Sequence, residues 1–252
     1  MLTIVLAAQK GGSGKSTLAI GLALAAAQAG HTVRLMETDS QGTLSNWQAR
    51  RVDTEPVVEP VYSAGEIEQR LQALDRSGVT LTIIDTASVS AATTAAIRYA
   101  DLCLIPARPS IVDIEATAPT LSIIRAWNKP FAFVLNQTPI RGQRINHAAA
   151  TLGDKAALDI ADVLAQPFIV MRNDHQDALS AGLAVTEYAP ASKSAEEIRG
   201  LWQWVETKRN AIGQSPLATA DEQPVISELP ASPETIPATY LRMPARTAEV
   251  AY

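Results

Sequence analysis

The 252-residue chain holds a single cysteine, Cys103, so no disulfide can form within it, and a cluster ligated by two cysteines per subunit is excluded. Cys103 lies in an apolar run and reads as a small buried residue. The three histidines, His31, His147 and His175, lack metal-type spacing and read as surface or packing residues. Aromatics are scarce at 5%, and Trp202 and Trp204 fit a helix packed on one side, without a base-stacking role. No stretch reaches the roughly 18 apolar residues of a membrane span. Leu18 to Ala27, after Lys10 and Lys15, superficially matches a secretory signal. An apolar run from Leu2 to Ala8 precedes those lysines, however, and three glycines separate the two runs. Strand, loop and helix explain that order better, and the expectation is a cytoplasmic, unprocessed protein. With 21 Lys and Arg against 26 Asp and Glu the net charge is −5, so any nucleic-acid contact must come from a local patch.

What is present is a core: 47% of the residues are apolar, enough at this length for one large domain or one domain with an appendage. Short apolar runs alternate with helical patterns, the sign of parallel βαβ units. Strands are predicted over Leu2 to Ala8, Thr32 to Met36, Val79 to Ile84 (ending on Asp85), Leu102 to Ala107, Phe131 to Leu135 and Pro167 to Met171. Helices are predicted over Ser16 to Ala29, stopped by Gly30, and from a capping box of Ser63 and Glu66 to about Arg76. Another is predicted over Ala195 to Lys208, with Ile198, Leu201, Trp202 and Val205 on one face. Together these predict an α/β three-layer sandwich on a mostly parallel, doubly wound sheet. The domain spans 1–211. The remainder, 212–252, is rich in proline and acidic, and is expected to be a disordered or loosely docked extension.

Between the first strand and first helix stands Lys10-Gly11-Gly12-Ser13-Gly14-Lys15-Ser16-Thr17. Glycines there let backbone N–H groups turn inward around a phosphate chain, and the helix N-terminus adds partial positive charge. Lys15 would reach the β- and γ-phosphates of ATP, and the Ser16 hydroxyl would complete a Mg²⁺ shell. Asp85, ending a buried strand, is placed to hold the same Mg²⁺ through water. The ordinary phosphate-loop pattern fails by one residue, because Gln9 stands where its first glycine belongs. A lysine before the paired glycines gives the loop two lysines instead.

This loop resembles the deviant Walker A motif of the ParA/MinD family of ATPases. Glu37-Thr38-Asp39-Ser40-Gln41-Gly42, Ile83-Ile84-Asp85-Thr86, Ile105-Pro106 through Ser110 to Asp113, and the segments 182–188 and 192–198 resemble further family motifs. The resemblance covers residues 1 to about 209 and is nearest the small ParA-type partition ATPases. It implies that Asp39 orients the attacking water. It also implies that Lys10 crosses a dimer interface to the phosphates of the other subunit, as an arginine finger does, and that Asn136 reads the adenine edge. Glu37, Ser40 and Ala87 depart from the family pattern at an acid and two prolines, in the loops after the second and third predicted strands.

Several activities fit this resemblance. In a DNA-partition ATPase, ATP closes a homodimer that binds DNA nonspecifically, and a ParB-like or other adaptor protein stimulates a weak hydrolysis that resets the cycle. Arg172, Lys193, Arg199, Lys208 and Arg209 are the candidate DNA contacts. A solvated helix face with intrahelical pairs is the plainer account of those charges. Other readings are an ATPase that positions a protein assembly, a nucleotide switch without turnover, and a metabolic ligase of the same fold. A MinD-like membrane cycle needs a basic amphipathic C-terminal helix, which the acidic, proline-broken tail does not supply.

Overall fold

The computed structural model describes residues 1–88 and 90–213. The extension expected over 212–252 lies, from residue 214 on, outside the described residues. In chain order, β1 (Leu2–Leu6) leads to α1 (Lys15–Gln28), then β2 (Val33–Glu37), α2 (Thr43–Gln48), β3 (Val57–Pro60) and α3 (Ala64–Arg76). β4 (Leu81–Asp85), α4 (Ala91–Tyr99) and β5 (Leu102–Ala107) follow, with α5 (Ile111–Glu115) and α6 (Ala118–Ala126) before β6 (Phe131–Leu135). The rest is helical: α7 (Gln143–Ala156), α8 (Ile160–Val163), α9 (Asp174–Ser180), α10 (Val185–Tyr188) and α11 (Lys193–Gly213).

The strands form one parallel sheet in the order β3-β2-β4-β1-β5-β6. Both faces are covered, so the inner strands are mostly apolar and their apolar residues alternate between two cores. Ile4, Leu6, Leu35, Ile83, Leu104 and Val134 face the core built with α1 and α11. Val5, Met36, Ile84, Cys103, Phe133 and Leu135 face the core built with α3, α4, α6 and α7. Cys103 is fully buried, and burial pushes its thiol up to about 12, so it packs as an inert apolar group. α1 is buried almost all round, and its Gly21 admits Ile198 of α11 so closely that an added Cβ would sit 3.2 Å from that side chain. Trp202 is buried on the same helix with its ring edge-on to His31.

Two expectations are corrected and one strand is added. The strand predicted over Pro167 to Met171 is not one. Gln137 turns to φ 53° just beyond β6, and the segment forms one isolated bridge, Val170 with Thr138, its Ile169 N–H donating to the Leu135 carbonyl, while Leu164 before it bridges Phe133. The helix after Ser63 forms, but the Ser63 hydroxyl caps nothing: the Glu66 N–H donates to the Ser63 carbonyl instead. β3 was not foreseen. It is a four-residue edge strand ending on proline, a position where a missing N–H costs no ladder bond.

Candidate functional site

Parallel strands place all their carboxyl ends along one edge, and the chemistry gathers where β4, β1 and β5 lie side by side. Leu6 pairs in register with Asp85, and Glu37 pairs with Asp85 from the other side. The loop from Ala7 to Gly14 therefore leaves the sheet directly beside two carboxylates.

That loop is held open from outside. Gly12 and Gly14 adopt φ 74° and 89°, and Gly14 is the left-handed N-cap of α1. The Gly12 carbonyl accepts from Gln137 Nε2 (3.0 Å) and from Nε and Nη2 of Arg108 (3.2 Å for Nε). The Ser13 carbonyl accepts from Asn136 Nδ2 at 2.8 Å. With these carbonyls drawn outward, none of the N–H groups from Gln9 to Ser16 donates to a backbone carbonyl among the described residues. Unpaired N–H groups converging at a helix N-terminus form an anion cradle. Asn136 sits so near Gly14 that any Cβ there would lie 2.2 Å from its amide nitrogen.

Inside the cradle, Lys15 is buried and its ammonium reaches the Ala8 carbonyl at 3.2 Å. The Ser16 hydroxyl donates to Asp85 Oδ2 at 2.6 Å, while Asp85 Oδ1 is buried without a partner. Burial pushes the Asp85 carboxyl up to about 7, the Ser16 hydroxyl and Lys15 ammonium oppose that rise, and Glu37 and Asp39 reinforce it. A carboxylate with an orphaned oxygen beside a serine hydroxyl fits a divalent cation. The two donors leave room for phosphate oxygens and water, as Mg²⁺ prefers. Among the described residues no three His, Cys, Asp or Glu converge on a metal position, in keeping with so sparse a protein shell.

Contacts made by Glu37, Asp39 and Ala87, the first and last of which depart from the family pattern, stiffen the loops after β2 and β4. Glu37 is fully buried, and its carboxylate accepts from the Leu44 and Ser45 N–H groups (2.6 and 3.2 Å), capping α2. Asp39 Oδ1 accepts from the Gln41 N–H at 3.0 Å in an Asx turn, with its charge near enough to act on Asp85. Ala87 supplies an N–H that donates to the Thr38 hydroxyl at 3.3 Å, which proline could not do.

Lys10 lies at the mouth. Its ammonium is 3.1 Å from Asp113 Oδ1, with the lysine side chain 37% exposed and the aspartate 7%. Beside Gly14 and Thr17 a cavity of about 100 Å³ is lined by Asn136, Gln137, Arg172, His175 and Gln176 among others. Burial lowers the pKa of His175, whose Nε2 is buried without a partner.

The five candidate DNA contacts do not form one patch. Arg172 lies at this cavity and is bidentate to Glu197 (2.7 and 2.8 Å). Arg209 lies at the opposite end of α11, in a groove with Met1 and Pro130 at the amino ends of the strands. Arg199 and Lys208 donate to the Pro190 and Asp162 carbonyls, and Lys193 is exposed. Sequence reasoning missed Arg108 and Gln137 as supports of the phosphate loop and Glu37 as a helix cap. Only the Ser110-x-x-Asp113 spacing, which is a capping pattern, pointed to part of this scaffold.

A family model described as the CobQ/CobB/MinD/ParA nucleotide binding domain matches residues 4–213. Protein ParA of Rhizobium radiobacter is 32% identical over 126 residues, which take in 49% of this chain and only 56% of that relative. Maintenance of carboxysome distribution protein A of Halothiobacillus neapolitanus is 26% identical over 205 residues, 77% of this chain and 91% of the relative. Among solved structures, apo McdA from Cyanthece superposes with a TM-score of 0.66 at 20% identity, covering 80% of this chain and 99% of its own. The septum site-determining protein MinD of Pyrococcus horikoshii with Mg-ADP gives 0.63 at 16% identity, covering 81% and 96%. At these identities the structural likeness is one of fold.

Proposed function

The chain belongs to the CobQ/CobB/MinD/ParA nucleotide-binding domain family, and from that premise we propose that this ParA/MinD-family P-loop ATPase is a DNA-partition ATPase. ATP closes a homodimer, the dimer binds DNA nonspecifically, and hydrolysis stimulated by a ParB-like adaptor resets it. The observation that carries the ATP chemistry is the loop of free N–H groups set beside the Ser16–Asp85 pair. Phosphoryl transfer needs positioning and charge stabilisation rather than covalent help.

Residues 10–17 cradle the phosphates, and Lys15 exchanges the Ala8 carbonyl for phosphate oxygens. Ser16 and Asp85 would hold Mg²⁺, which would supply charge neutralisation on the phosphate oxygens. Asp39, with one oxygen fixed in its turn, orients the attacking water through the other. Asn136 supports the loop and lines the base-side cavity. Lys10 acts in trans on the partner protomer's phosphates.

Retention of the protein on DNA, with and without ATP and across a salt series, tests the DNA step. Binding that appears only with ATP and weakens steeply with salt supports it. ATP-independent or absent retention moves the function to positioning a protein assembly. That second reading is favoured by the relative named for carboxysome distribution and by the scattered basic residues of α11. Lys15→Ala should abolish ATP binding, and tight binding by that variant would overturn the phosphate-loop assignment.

A further inference from the structure

We propose that Asp113 is a positioning residue for Lys10: it holds the loop lysine on its own protomer until the phosphates of a second protomer's nucleotide take its place. The inference rests on the trans role assigned to Lys10 above and adds to it what the lysine does beforehand.

The β5–α5 connection and the first turn of α5 grip the phosphate loop at two points. Arg108 holds the Gly12 carbonyl, and Asp113 Oδ1 meets the Lys10 ammonium at 3.1 Å. The Asp113 carboxylate is fully committed. The Ser110 hydroxyl donates to Oδ2, and Ser110 Oγ in turn accepts from the Asp113 N–H, so the side chain is clamped in one direction while Oδ1 faces the loop. Burial raises the carboxyl's pKa, but the Ser110 hydroxyl and the Lys10 and Arg108 cations more than reverse this, and the group stays ionised.

A carboxylate only 7% exposed needs its countercharge, and Lys10 is the cation within ion-pairing distance among the described residues. Arg108 is turned to the Gly12 carbonyl instead. Lys10 is different: more than a third of it remains exposed at the mouth of the site, so it can leave without unpacking anything. Its departure leaves Asp113 the Ser110 hydroxyl and the more distant Arg108 charge, and is therefore uphill unless a stronger anion receives the ammonium. A nucleotide triphosphate presented across an interface is such an anion, and one carboxylate is not its equal. Asp113 thus opposes dimerisation in proportion to how well it holds the lysine.

Sedimentation of wild type, D113N, K10A and D113N/K10A with Mg²⁺ and the non-hydrolysable analogue AMPPNP tests this. A partly exposed pair is worth a few-fold in an equilibrium constant, and two are broken per dimer, so D113N should tighten the dimer by about tenfold. The double variant should behave as K10A and remain monomeric. A merely structural role for Asp113 would weaken the dimer, and a D113N dimer equal to or weaker than wild type overturns the proposal. Dimers that survive K10A would instead overturn the trans role on which it rests. A second measurement needs no variant to fold. In the nucleotide-free wild type, an amine-reactive label read by mass spectrometry should modify Lys10 several-fold more slowly than exposed Lys193. Equal rates would refute the cis contact.

Discussion

Replacing Asp85 with Asn should stabilise the nucleotide-free, Mg²⁺-free protein at pH 8 and leave it almost unchanged at pH 4. The carboxyl is raised by burial from 3.8 to about 7 and carries an unpartnered oxygen. A folded-state pKa above the unfolded one means that the unfolded chain ionises first as pH rises. The stability cost is absent below about 4, grows across pH 4–7, and is complete above 7. About three units at roughly 1.4 kcal/mol each set an upper limit of about 4 kcal/mol, and local relaxation brings the expected gain to about 2–4 kcal/mol. Asn keeps an oxygen to accept the Ser16 hydroxyl and carries no charge. Urea unfolding of both proteins at pH 4, 6 and 8 reads the difference directly, because other titrating groups largely cancel. Adding Mg²⁺ and ATP should reverse the order, since ligand that binds only the wild-type fold stabilises it alone. An Asn variant less stable than wild type at pH 8, or a gap that does not change with pH, would refute the reasoning.

Gly14→Ala should cost about 2–4 kcal/mol in urea unfolding, from left-handed strain and the displaced Asn136 amide, and should abolish ATP binding. A loss below about 1 kcal/mol would show that the loop yields. Trp47→Ala removes a fully buried ring whose Nε1 donates to the Leu183 carbonyl and whose face carries Arg51. Its expected cost is about 3–5 kcal/mol by the same assay. Arg108→Ala, at a half-buried side chain, should change stability by less than about 1 kcal/mol yet weaken ATP binding several-fold by calorimetry, because the Gly12 carbonyl is then free to rotate inward.

The sheet was legible because buried parallel strands announce themselves as apolar runs, and β1, β4, β5 and β6 fall where such runs were read. β3 escaped because an edge strand between prolines has no such run. Pro167 to Met171 looked like a strand by composition, but the break lies elsewhere, at Gln137, whose positive φ no pattern within 167–171 reveals. The phosphate loop was readable residue by residue, since its glycines and lysines are local in sequence. Its supports were not. Arg108, Asn136 and Gln137 reach residues 12 and 13 from about a hundred or more positions away, and only the pairing of β5 with β1 and β6 brings them together. Glu37 read only as a departure from the family pattern, and the structure makes it the cap that anchors α2.

Helix α11 joins two distant places. Near its start Glu197 is bolted to Arg172 on the wall of the cavity beside Gly14, and near its end Arg209 edges the groove at the amino ends of the strands, about 18 Å along the axis. Close by, Ile198 rests on Gly21, a fulcrum too tight for any added methyl to pass unnoticed. Between Glu197 and Arg209, the side chains of Leu201, Trp202 and Val205 are buried in the core, so one rigid element fixes the spacing of the cavity beside Gly14 and the groove at Arg209.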